Sequence, residues 1–189
     1  QRDFVYNTNG SIKQVEFDGE FGNAVSNQNK DNAYITGFTA NYLGKISNSW
    51  RTSGFITYTK GKTYDTNEPM SSIPPLFGQF ELNHKVDRFE LGAAIRFNAK
   101  KNIKDFNITE GIDNHDLTPI VNENATEDLL KYSGSPSWIT AGLNFRFVVN
   151  NNFSVLARLD NLLDQHYIEF ASGVASPGRN LSVSFMANF

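Results

Sequence analysis

The residues with the chemistry to bind or transform a ligand are few and scattered. There are three histidines and no cysteine in the 189 residues, which removes thiol nucleophiles, disulfides and zinc–thiolate centres. Ser, His and Asp are present, but no Gly-x-Ser-x-Gly elbow presents a nucleophile, so an enzyme is not expected and neither is a cofactor. The segment Asp113-Asn114-His115-Asp116 carries metal-capable groups without the spacing of an EF-hand or a zincin, and no metal site is assigned to it. The best ligand contacts lie in the long stretch 101–136, because long loops carry recognition. Lys101 and Lys104 there suit an anionic chelate; Asp113, His115 and Asp116 suit a cation. Both readings stay open. With 17 Lys+Arg against 20 Asp+Glu and a net charge of −3, the chain lacks the basic footprint of a nucleic-acid binder.

The elements that must position these residues are strands. Apolar residues recur at every second position, the period of a strand with one apolar face. In 89–98, Phe89, Leu91, Ala93, Ile95 and Phe97 oppose Glu90, Arg96 and Asn98. In 137–149, Ile139, Ala141, Leu143, Phe145, Phe147 and Val149 oppose Thr140, Asn144 and Arg146. Segments 79–86, 153–160 and 180–189 repeat the pattern, although Leu156 interrupts the polar side of its strand. Segments 33–46 and 50–64, rich in Tyr, Phe, Thr and Gly, complete seven expected strands. Short connections (47–49, 87–88, 150–152) alternate with long ones (65–76, 101–136, 166–179), as in antiparallel hairpins whose turns gather at one end. One helix of about two turns is expected in the longest connection, capped by Asn124 with Glu127 three residues on. Residues 1–32 are weakly patterned and read as a long loop with partial strands, a loop that would be extracellular if the strands cross an outer membrane.

Mean hydropathy is −0.42, and no apolar run is long enough for a membrane-spanning helix. A strand needs only roughly 9–11 residues to cross a bilayer at a tilt, and these segments match that length better than the roughly 5–6 residues of a typical strand. Charges stand in mid-strand on the polar face: Glu81, Lys85, Glu90, Arg96, Arg146, Arg158 and Asp160. A polar lumen accounts for them if the apolar face meets lipid. Aromatics gather near the turn ends (Tyr42, Trp50, Phe147, Phe153, Phe189) and near the loop ends (Trp138, Tyr167), as two interfacial girdles would require. The expected fold is all-β, an antiparallel transmembrane β-barrel. A barrel in lipid must close to pair its backbone, and bacterial barrels have an even strand number of at least eight, so seven strands predict part of something larger.

The last thirty residues narrow this reading. Asn161-Leu162-Leu163-Asp164 and Tyr167 are followed by a loop, then Pro177-Gly178-Arg179-Asn180 and an alternating strand that ends in Phe189. This order resembles the C-terminal end of a TonB-dependent outer-membrane receptor. Pro74-Pro75 before one strand and Ser135-Pro136-Ser137-Trp138 before another resemble that family's approaches to late strands. The resemblance implies that 33–189 supplies the last seven strands of a 22-stranded barrel, with the N-terminal plug absent from this sequence. It implies uptake of a scarce nutrient: a ferric siderophore, haem, cobalamin, a metal chelate or an oligosaccharide. It further implies location in the outer membrane of a Gram-negative bacterium, with outer-membrane lipid around the barrel. Its partners would be the TonB complex acting through the plug, the assembly machinery reading the C-terminal strand, and the nutrient. Asn161, Asp164, Tyr167, Pro177, Gly178 and Arg179 would be structural, Arg179 pairing with a carboxylate, and Phe189 the assembly signal. Two other readings remain: a complete small outer-membrane barrel or pore, and a soluble β-sandwich binding protein.

Overall fold

The computed structural model describes residues 2–27, 32–107 and 114–188. Thirteen strands occur among them: β1 (Arg2–Phe4), β2 (Gln14–Phe17), β3 (Glu20–Asn23), β4 (Val25–Asn27), β5 (Ala33–Lys45), β6 (Trp50–Thr63), β7 (Phe77–Val86), β8 (Phe89–Asn98), β9 (Lys101–Asn102), β10 (Gly134–Ser135), β11 (Trp138–Val148), β12 (Phe153–Asp160) and β13 (Asn180–Ala187). The chain divides into two compact units. One comprises Gln1–Thr36, Lys60–Ile73 and Asn102–Gly134; the other comprises Gly37–Thr59, Pro74–Lys101 and Ser135–Phe189.

The second unit is built on a seven-stranded sheet in the order β13-β12-β11-β8-β7-β6-β5. Every neighbour in the sheet is also the next sheet strand in sequence, so the chain meanders. The registers of β6 with β7, β7 with β8, β8 with β11, β11 with β12 and β12 with β13 are all antiparallel. Local chemistry makes the tight turns. Asp87 takes a positive φ of 52°, which Asp tolerates, and closes β7 onto β8 in two residues. The Ser47 Oγ accepts from the Ser49 and Trp50 backbone N–H groups, a side-chain turn that favours Ser. The Asn150 Oδ1 accepts from the Asn152 N–H at 2.9 Å, and the Asn152 Nδ2 donates to the Asn188 carbonyl at 2.7 Å, tying the terminal strand to the β11–β12 turn.

The registers carry the alternation across the sheet. Gly54, Phe80, Ile95 and Ala141 form one row of the apolar face, and Phe89 and Phe147 pair in another. The ring of Phe80 lies over Gly54 and that of Phe97 over Gly78, so aromatic rings cover backbone that the glycines leave bare. This apolar face is not buried. Phe80, Leu91, Ile95, Ile139, Leu143, Val183 and Phe185 all stand exposed. The buried hydrophobic residues among those described are Phe106, Trp138 and Tyr167, while Thr140, Ser154 and Asn161 are buried polar residues of the same sheet and its loops. The sheet is therefore built the opposite way from one whose apolar face forms a core.

In the first unit, residues 2–27 form a branched ribbon rather than loop alone: β1 pairs with β4, and between them lie two successive hairpins, one closed by the Tyr6–Ile12 bridge and one formed by β2 and β3. Elsewhere in this unit Asn107 Nδ2 donates to the Pro69 carbonyl. The expected two-turn helix shrinks to Asp128–Lys131. Asn124 does not cap it; its N–H donates to Asn122 Oδ1 instead. The cause is the closure of this loop, where Ile120 bridges Tyr132 and Val121 N–H donates to the Lys131 carbonyl. One turn is all that fits between those anchors, and a helix so short gains little from its own hydrogen bonds.

Candidate functional site

The polar face of the seven-stranded sheet holds a cavity of about 320 Å³ near the long-loop end. Its walls follow from register. One row runs Gln79, Arg96, Thr140 across β7, β8 and β11. The next runs Ser53, Glu81, Ala94 and Gly142, and Asp160 faces Asn180 beside it. A third joins Asn83, Gly92, Asn144, Arg158 and Ser182. The small residues Gly142 and Ala94 leave the space that the longer side chains line.

The charged groups around the cavity each have a polar partner. Arg158 Nε donates to Asp160 Oδ1 at 2.8 Å, and Gln79 Nε2 donates to Glu81 Oε1 at 2.6 Å. Arg96 Nη2 donates to Glu169 Oε1 at 3.1 Å, while its guanidinium carbon lies 5.8 Å from the Trp138 ring centre. Trp138 in turn packs on Tyr167, ring centres 4.3 Å apart. The arrangement has donors and acceptors for a polar ligand or for water. Among the described residues no group of three or more His, Cys, Asp or Glu is placed to hold a metal ion.

The junction between β12 and β13 forms the cavity's edge, and here the structure gives the C-terminal motif its physical content. Asn161 is buried, with φ of 48°. Its Nδ2 donates to the carbonyls of Gln165 (2.9 Å) and Pro177 (3.2 Å), and its Oδ1 accepts from the Gln165 N–H (3.0 Å). Asp164 Oδ1 accepts from the Arg179 N–H at 2.7 Å. A Cβ on Gly178 would come within 2.8 Å of that carboxylate oxygen, so glycine is what lets the two segments approach. Arg179 does not pair its side chain with a carboxylate as expected. Its Nε donates to the Leu162 carbonyl at 3.0 Å instead. These residues clamp the two ends of the 161–179 connection together.

Two expected girdle residues sit elsewhere. Trp138 and Tyr167 are near the loop ends but are buried. Trp138 is one position out of step with Ile139 and Ala141, so it shares the polar face with Thr140. The loop residues expected to touch ligand differ in setting. Lys101 is buried, its Nζ 4.3 Å from the Phe170 ring centre. Lys104 and Asp116 are exposed. His115 is buried, edge-on to Tyr132 at 5.9 Å. Asp113 and Phe189 lie outside the described residues. The sequence reading placed Arg96, Glu81, Arg158 and Asp160 on the polar face but did not name them as a site. Register, which joins positions far apart in the chain, was the missing signal, and Glu169 had no pattern to mark it.

A meander of long strands with an exposed apolar face and a polar face that carries charges and a cavity defines the wall of a membrane β-barrel. No protein-family model matches the chain. No curated protein matches it either. Solved structures do. The copper transporter OprC shares 20% identity over 89% of this chain with a TM-score of 0.65. The siderophore receptor PirA from Acinetobacter baumannii shares 19% identity over 100% of it with a TM-score of 0.64. The ferripyoverdine receptor of the outer membrane of Pseudomonas aeruginosa shares 17% over 83%, with a TM-score of 0.59. This chain covers 24%, 26% and 20% of those proteins respectively. It thus has the fold of a stretch of outer-membrane receptor barrel and spans about a quarter of their length.

Proposed function

We propose that this chain is the C-terminal barrel portion of a TonB-dependent outer-membrane receptor that takes up a scarce nutrient. The observation that carries the reading is the inversion of the sheet: Leu91, Ile95, Leu143 and Val183 face outwards exposed, while Arg96, Arg158 and Asp160 line the other face. An exposed apolar band on strands of this length is stable in lipid and unfavourable in water. The outer membrane of a Gram-negative bacterium is where such barrels reside. Similarity in fold to a copper transporter and to siderophore receptors favours a metal ion or ferric chelate as the nutrient.

In this reading the seven strands are the last of a barrel of about 22, residues 1–32 belong to an extracellular loop region, and a plug outside this chain couples to the TonB complex. The C-terminal strand ending at Phe189 engages the outer-membrane assembly machinery. The receptor carries its ligand without covalent chemistry. The test is uptake of radiolabelled ferric chelates and copper by cells expressing the full-length protein, with and without TonB. TonB-dependent accumulation of one substrate is expected. Accumulation that persists without TonB, or an intact outer-membrane species near 21.2 kDa, would overturn it.

A further inference from the structure

The 161–179 connection is held in two different ways. Its ends are fixed by the backbone-directed bonds of Asn161 and Asp164. Its middle, residues 165–176, folds back on itself through the Ile168–Ala175 bridge and the Ser176 N–H to Tyr167 carbonyl bond. Side chains fasten that middle at three points: Glu169 on Arg96 of β8, buried Tyr167 on Trp138 of β11, and Phe170 on Lys101 of β9. The Arg96–Glu169 contact is a single N–H to a single oxygen at 3.1 Å, and both side chains are about half exposed, 46% and 48%. A guanidinium has five N–H donors and binds oxyanions best through two parallel bonds. Arg96 therefore spends one donor on Glu169 while lining the cavity. Thr140 stands directly opposite Arg96 in register and lines the same cavity, with a hydroxyl to offer a second oxygen. Glu81, the nearest carboxylate on the neighbouring strand, is occupied by Gln79.

We propose that Glu169 is a built-in stand-in ligand: it holds Arg96 by one point, and an oxyanion that enters the cavity and takes Arg96 by two points displaces it and lets the strap's tip around Gly173 swing away, hinged on Tyr167 and Phe170, which stay on Trp138 and Lys101. The ligand group is a carboxylate or phosphate, and exposed ion pairs of this kind are weak and screened by salt, so exchange is easy. The same pair gives the strap's closed position a direct effect on affinity, since an occupied guanidinium reduces apparent binding by the fraction that is free. The device depends on the strap and the wall alone, and holds whether or not the whole protein is energised by TonB.

Spin labels at Gly173→Cys on the strap tip and Asn151→Cys at the turn end, in the full-length protein with any other cysteine replaced, report the strap's distance. Inorganic phosphate and succinate, titrated separately, are each expected to lengthen it, and the more effective of the two identifies the preferred oxyanion. Glu169→Gln should lengthen the distance before any anion is added and tighten anion binding by roughly three- to tenfold. The exchange Arg96→Glu with Glu169→Arg should restore the short distance and abolish the anion response. A distance unaffected by either anion, or a Glu169→Gln variant that matches the parent in distance and affinity, would overturn the proposal. Loss of uptake with the strap response intact would count against the transport reading alone.

Discussion

The two faces of the seven-stranded sheet share one backbone and differ in everything else. On one, Ile95, Leu143, Val183 and Phe185 are exposed with no layer over them. On the other, Arg158 meets Asp160, Gln79 meets Glu81, and Arg96 meets Glu169 around a cavity. In water the apolar face would be a large liability. In lipid it is the solvent-compatible surface, and the polar face becomes the wet one. The contrast shows that solvent, rather than composition, decides which side of a sheet is the inside. A mean hydropathy of −0.42 averages an apolar outer face with a polar inner one and the loops, and so describes neither face.

The largest expected break in this contrast comes from adjacent alanines. Ala93 lies on the apolar face and Ala94 on the cavity face, at mid-strand in β8. Ala93→Arg should destabilise the full-length protein by about 2–4 kcal/mol, the cost of an arginine facing the middle of a bilayer. Ala94→Arg, opposite Glu81 in register, should change stability by less than about 1 kcal/mol. Chemical unfolding in lipid vesicles measures both, and equal costs would mean that the faces are not distinguished by lipid.

A smaller effect should follow at the clamp that closes the polar face. Asn161→Ala removes three hydrogen bonds and leaves the Gln165 N–H without its acceptor. It should cost about 1–3 kcal/mol, with earlier proteolysis of the 161–179 connection. Asn161→Asp keeps the acceptor for Gln165 but sets a buried carboxylate oxygen against the Gln165 and Pro177 carbonyls, and should cost at least as much as Asn161→Ala. The smallest effect is expected at Arg158, whose pairing with Asp160 is well exposed (67% and 41%). Arg158→Ala should shift stability by less than about 1 kcal/mol, and the shift should fade as salt is raised.

The sheet was legible in the sequence because each of its strands has two unlike faces, so alternation in 89–98 or 137–149 marks both the element and its facing. The 2–27 ribbon was not, and the reason is physical. β2, β3 and β4 are exposed on both faces, Phe17 and Phe21 included, so nothing forces a period-two pattern. The C-terminal clamp was legible as a group of residues but not as wiring. Asn161, Asp164 and Gly178 were expected to shape the junction, yet nothing in the pattern says that Arg179 reaches the Leu162 carbonyl, a contact made across the two ends of the connection. Trp138 and Tyr167 were misassigned by their nearness to loop ends, where counting from Ile139 puts Trp138 on the polar face. The cavity could not be read at all, since Gln79, Arg96 and Thr140 meet only through register between strands. Asn124 and Glu127 have the spacing of a capped helix, but the Ile120–Tyr132 bridge overrides it.

The most direct test of the account is a scan along β8. A fluorophore placed at one introduced cysteine at a time from Phe89 to Phe97, in the full-length protein reconstituted with brominated lipid, reads contact with acyl chains residue by residue. Quenching at 89, 91, 93, 95 and 97, with protection at 90, 92, 94 and 96, is the predicted result. Quenching of the even positions, or none at any position, would contradict a membrane barrel wall whose apolar face meets lipid.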